Sequence, residues 1–240
     1  MGMMKPLPLL TLLFTLTFVI SPALTDPFSG FEADQLPIPQ IDPPVQPAGY
    51  AFAIWGLIYG WLVVSAIYGL VRRADAPGWD HAREPLILSL AVGTPWLAIA
   101  NASAVWATVG IIVMAGFAIA ALLRTPATDR WWLRAPVAIY AGWLTAASFV
   151  SIASTAAGYG LIWDQTGWAY AGIAGAFLVA FAVQRRMPGA PEYGATVIWA
   201  LVGIIVANGL DRVWISGTAA AGLVILALVA LNGATRTRRA

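Results

Sequence analysis

Trp55 and Tyr59 stand four residues apart, and Tyr140 and Trp143 three apart, so each pair shares one face of a helix. One turn past the second pair come Ala147, Ser148 and Ser151, small residues beside which a ligand or another helix approaches closely. Indole and phenol faces stack on flat apolar molecules, and a buried indole N–H needs an acceptor. The chemistry on offer is recognition of a flat aromatic ligand; plain helix–helix packing is the other use of the same residues. The chain has 12 tryptophans. Trp79, Trp131, Trp132, Trp163, Trp168 and Trp214 lie at or near the ends of apolar runs, as interfacial anchors do. Trp55, Trp61, Trp96, Trp143 and Trp199 lie further in.

Other chemistries are poorly supplied. There is no cysteine, which removes disulfides and thiolate metal sites. The single histidine, His81, cannot build a metal site alone and reads as a solvated residue of a polar loop with Asp80, Arg83 and Glu84. No acid–base constellation accompanies the aromatic residues, which leaves enzymatic breakdown of a ligand, with Trp55 and Trp143 as redox or photochemical participants, the weaker reading. A retinal Schiff base needs a lysine in a late helix, and the only lysine is Lys5.

The elements that must position these residues follow from composition. Of the 240 residues 60% are hydrophobic and 10% charged, against roughly 25% charged in a soluble domain. The apolar excess must face lipid. Runs long enough to span it are Leu7–Leu24, Tyr50–Val71, Pro85–Ala100, Ala102–Leu123, Ala135–Ala157, Trp168–Gln184, Tyr193–Leu210 and Val213–Leu231. No charged residue falls inside them, which argues against a proton relay or voltage sensor. Backbone groups in lipid must be satisfied internally, so the runs are helices. The expected fold is an all-α polytopic bundle of about eight spans, or seven if the first run is a cleaved signal peptide ending near Ser21-Pro22-Ala23.

Alternating the loops with Lys5 inside puts every one of the 13 basic residues except Arg212 on the cytoplasmic side, the basic C-terminus included. The expected location is the bacterial inner membrane. The charge pattern offers no patch for nucleic acid; the expected partners are the bilayer and a hydrophobic small molecule. The segment 25–47 holds six prolines and is expected to be extended, either as a lid over the outer end or as a plain tether.

The stretch from Pro47 to Tyr59 (PAGYAFAIWGLIY) resembles the start of the second helix of the TspO / translocator-protein family, the tryptophan-rich sensory proteins. That motif runs Pro-Pro, a short gap, Phe, then Trp and Tyr four apart; Phe52 is one residue closer to Trp55 here. Pro136–Ala147 (PVAIYAGWLTAA) looks like the family's fifth-helix motif. Gly93-Thr94-Pro95-Trp96 stands where the family has an asparagine and a tryptophan three apart, and Ser151 replaces a second asparagine. The resemblance covers residues 1–157, with 158–240 as three additional helices and a basic tail. It implies a receptor or sensor that holds a porphyrin, haem or sterol-like ligand among the first five helices, with no obligatory cofactor, and a homodimer. Passive or facilitated carriage of lipophilic molecules is the alternative. Trp55, Tyr59, Trp96, Tyr140, Trp143 and Ala147 would line the pocket, with Phe52 and Ser151 beside them. Apart from tyrosines and remote Met or His residues no side chain offers iron an axial ligand, which favours a metal-free ring.

Overall fold

The computed structural model describes residues 6–28 and 30–239, with the side chains of Ala33 and 236–239 set aside. Lys5 and the orientation argument resting on it lie outside the described residues. The protein is all-helical there: α1 (Pro6–Ile20), α2 (Ile54–Arg72), α3 (Pro77–Gly93), α4 (Trp96–Ala102), α5 (Ala104–Leu123), α6 (Ala135–Gly158), α7 (Gln165–Arg186), α8 (Pro191–Asn208) and α9 (Val213–Arg239). They form 8 segments long and apolar enough to cross a membrane, as expected. α3 and α4 make one of these, broken at Thr94-Pro95 because proline removes an N–H and disfavours helix in the residue before it.

One expectation fails. Asp80, His81, Arg83 and Glu84 are not in a polar loop but in the first turns of α3, which begins at Pro77. Proline at the first helical positions has no N–H to leave unpaired, so the helix starts eight residues before the apolar run at Pro85. Arg83 is 1% exposed. Its guanidinium donates to Asp80 Oδ1 at 2.7 Å, Gly69 O at 2.8 Å and Arg73 O at 3.1 Å, and lies over the Trp79 ring. Trp79, expected as an interfacial anchor, is buried and donates to Asp129. Arg73 grips the same carboxylate at 2.7 and 3.0 Å, which holds it below the usual carboxylate range. These contacts lock the ends of α2 and α3 to the α5–α6 connection.

α6 is the hub. Its span is 78% buried, against 28–50% for the others. The reason is composition: a sequence rich in Ala, Gly, Ser and Thr lets helices approach on several sides. α5, α7 and α8 pack along it, and α2 touches it. At Gly142 α8 comes so close that a Cβ there would sit 2.6 Å from Tyr193 O. Beside it Thr145 Oγ1 and the Tyr193 hydroxyl are 2.9 Å apart. α9 closes the bundle against α7 and α8. Lipid has no preference between an exposed leucine and a lipid tail, so outward faces such as Leu57, Val64 and Ile67 stay apolar.

The proline-rich segment covers the end of the bundle opposite the Arg73–Asp129 pair. Gln35 donates to Ala100 O and Asn101 O, the Ile38 amide to Gly158 O, and the Ala48 amide to Gly203 O. Asn208 donates to Pro44 O, and Arg212 pairs with Asp42 at 3.0 Å. Apart from short 3-10 turns the segment is non-helical, as its prolines require. Of the two expectations the covering arrangement is the one observed.

Candidate functional site

Beneath this cover lies a cavity of about 220 Å³. α2 brings Trp55 and Tyr59, stacked at 5.2 Å between ring centroids as their spacing of four requires. α6 brings Trp143, whose ring meets Trp55 edge-on at 6.2 Å and Phe52 at 5.7 Å. Ala147 and Ser151, on successive turns from Trp143 toward the cover, leave the wall low. Trp96 closes another side, its indole donating to Ala107 O at 2.8 Å. Of the eight residues singled out from sequence, Phe52, Trp55, Tyr59, Trp96, Trp143, Ala147 and Ser151 line this one cavity.

Tyr140 does not. It is fully buried behind the wall, its hydroxyl 2.9 Å from Ser89 Oγ and its ring against Phe18. Phe18 is the lining residue in its place: it contacts Trp55 and Tyr59 edge-on at 6.0 and 5.4 Å. Phe28 and Phe31 from the cover add an aromatic lid, Phe28 meeting Trp96 at 5.3 Å. Sequence reasoning missed these phenylalanines because nothing in a leader-like helix or a proline-rich loop says which cavity it faces.

The indoles divide by hydrogen bonding. Trp61, Trp79, Trp96, Trp168 and Trp199 each donate to an acceptor in the protein. Trp55 and Trp143 have no acceptor among the described residues, as is true also of the exposed Trp106, Trp131, Trp132, Trp163 and Trp214; of these seven, Trp55 and Trp143 are the two that line the cavity. In a protein interior polar groups are normally paired, so these two indoles are the lining tryptophans left with a donor to offer. The cavity wall also holds Tyr59, Ser151, Ser154 and, at the rim, Asp26. Met114 reaches the wall too, although the sequence had suggested its methionines were remote. No group of three His, Cys, Asp or Glu side chains comes together among the described residues.

The far wall comes from the last third of the chain. Gly172, Ile173 and Ala176 of α7 and Val197, Ala200, Leu201 and Ile204 of α8 face the same space. The cavity is thus not confined to the first five spans, where the resemblance had placed it.

A family model described as TSPO-like protein matches residues 9–232, a range that takes in α7, α8 and most of α9. No curated protein and no solved structure matches the chain.

Proposed function

The chain belongs to the TSPO-like family, and from that premise we propose that it is a membrane receptor or sensor that binds a flat hydrophobic ligand, of tetrapyrrole or sterol type, in the cavity under the proline-rich cover. The observation that carries this reading is the pair of unpaired indole donors, Trp55 and Trp143, 6.2 Å apart between rings on one apolar cavity. A fused-ring ligand with nitrogen or carbonyl acceptors at its edge satisfies both donors while its faces meet aromatic rings.

The volume adds a condition. About 220 Å³ is below the roughly 300–1,000 Å³ of pockets that enclose a drug-sized ligand. A whole tetrapyrrole enters by displacing the 25–47 segment, whose ties to the helices are a few hydrogen bonds and one exposed ion pair. A metal-free ring suits the wall; for haem, Tyr59 and Met114 are the lining side chains of a type that serves as an axial ligand to iron.

Titration with protoporphyrin, followed by quenching of tryptophan fluorescence, tests the reading. Trp55→Phe together with Trp143→Phe keeps aromatic walls but removes both donors. Two hydrogen bonds at about 1 kcal/mol each predict a loss of affinity of roughly thirtyfold. Unchanged affinity in the double variant removes the site. The chain's location in a bacterial inner membrane with its C-terminus in the cytoplasm belongs to the same proposal and rests on the segregation of basic residues. A C-terminal alkaline phosphatase fusion is expected to be inactive and a fluorescent-protein fusion bright; the reverse pattern inverts the topology.

Carriage of lipophilic molecules is the second reading. It is favoured by the apolar walls of the cavity, on which Asp26 is the one charged lining residue, so that little holds a lipophilic passenger in place.

A further inference from the structure

The cavity has two chemically different halves. On the α1–α2 side the wall is aromatic and carries the free donors: Phe18, Phe28, Trp55, Tyr59, Trp96 and Trp143. On the α7–α8 side every residue is a glycine or an aliphatic: Ile173, Ala176, Val197, Ala200, Leu201 and Ile204 are its side chains. α6 links the halves. Trp143, Ala147 and Ser154 lie within about 40° of one another on its helical wheel, while Phe149, the ring that α6 adds to the α7 side, lies against Gly175. The aliphatic half has nothing for a polar or charged group to pair with, and burying one there unpaired is costly.

We propose that the ligand is an amphiphile: a flat conjugated head with acceptor atoms on the aromatic half, carrying an aliphatic chain that lies between α6, α7 and α8. The proposal rests on the reading of the cavity as a ligand site and adds the ligand's second part. It also assigns work to the last third of the chain, which builds the tail wall. Beside this wall Trp199 donates to Ala51 O and meets Tyr50 edge-on, which ties α8 to the turn that leads into α2.

Two small residues, Ala176 and Ala200, leave space beside α6 for the first carbons of the tail, and the rest follows as the cover that admits the head is displaced. The test uses the methyl ester and the phytyl ester of one metal-free chlorin, pheophorbide a, which share a head and differ in the tail. Both are titrated against wild type and against Ala176→Val with Ala200→Val, which narrow the aliphatic half without filling the cavity, by tryptophan quenching in the same detergent. The expected result is that both esters bind wild type, and that the variant binds the phytyl ester at least tenfold more weakly while its affinity for the methyl ester stays within twofold. Retained binding of the methyl ester also shows that the variant is folded. An equal change for the two esters, or none, overturns the proposal while leaving the site itself standing. Failure of wild type to bind either ester sinks the site and the tail proposal together. Ala200→Leu, a smaller obstruction, is expected to show the same selectivity to a lesser degree; loss of both esters equally here also counts against a separate tail half.

Discussion

Arg83→Met is expected to destabilise the folded protein by about 3 kcal/mol, because removing one partner of a buried ion pair strands the other groups. Arg83 is 1% exposed, and three acceptors converge on it: Asp80 Oδ1, Gly69 O and Arg73 O. Methionine fills the volume and supplies no donor. Two carbonyls and a carboxylate at the end of the bundle then lose their bonds together, and the anchor between α2 and the start of α3 goes with them. Arg83→Lys restores the charge but not the fork that reaches several acceptors, so it should recover only part of the loss. Denaturant-induced unfolding in mixed micelles, followed by helical circular dichroism, measures both. A loss under about 1 kcal/mol for the methionine variant would show that water replaces the guanidinium without penalty.

The second large effect is expected at Gly142. Leucine there drives its Cβ to 2.6 Å from Tyr193 O and 3.0 Å from Thr196 Cβ. The first neighbour is backbone, so no rotamer change relieves the contact and the helices must separate. Overpacking of this kind costs typically 1–3 kcal/mol, and a backbone neighbour places it at about 3. The 2.9 Å contact between Thr145 and Tyr193 is pulled apart in the same movement. Gly116→Leu is the matched control, since a Cβ there meets nothing within 4 Å. It should stay within about 0.5 kcal/mol of wild type. If the two leucine variants unfold alike, α6 and α8 are not held at the distance described. The effect reaches the cavity as well, because α8 supplies four residues of its aliphatic half. Gly142→Leu should therefore weaken a tailed ligand more than a head-only one.

Neither effect was visible in the sequence, and the reason is the same for both. Arg83 stood among charged neighbours, where a solvated loop is the ordinary expectation. Its burial depends on the carbonyls that α2 turns toward it. Gly142 looked like any small residue of a membrane helix. What made it irreplaceable is a carbonyl 51 positions further along the chain, at Tyr193.

The candidate site divides in the same way. Spacing alone put Trp55 with Tyr59 on one helical face and Trp143 near Ala147 on another, because helical periodicity is a local property. Tyr140 shows the limit of that logic. On the same face as Trp143, Ala147 and Ser151 but one turn further from the cover, it reaches Ser89 instead of the cavity and leaves Phe18 to line the space.

The sequence by itself determined that the chain crosses a membrane about eight times as helices, since lipid forbids unpaired backbone and the apolar runs are long enough to span it. Its motifs also marked the family that the matching range 9–232 establishes. Tertiary structure alone decided that rings from α1, α2, α4 and α6 share one space with aliphatic side chains from α7 and α8, and that the proline-rich segment lies over it. Periodicity fixes which side chains share a helix face, but which faces meet is set by packing between helices far apart in the chain. In a bundle apolar on nearly every face, no hydrophobic pattern announces which face turns inward.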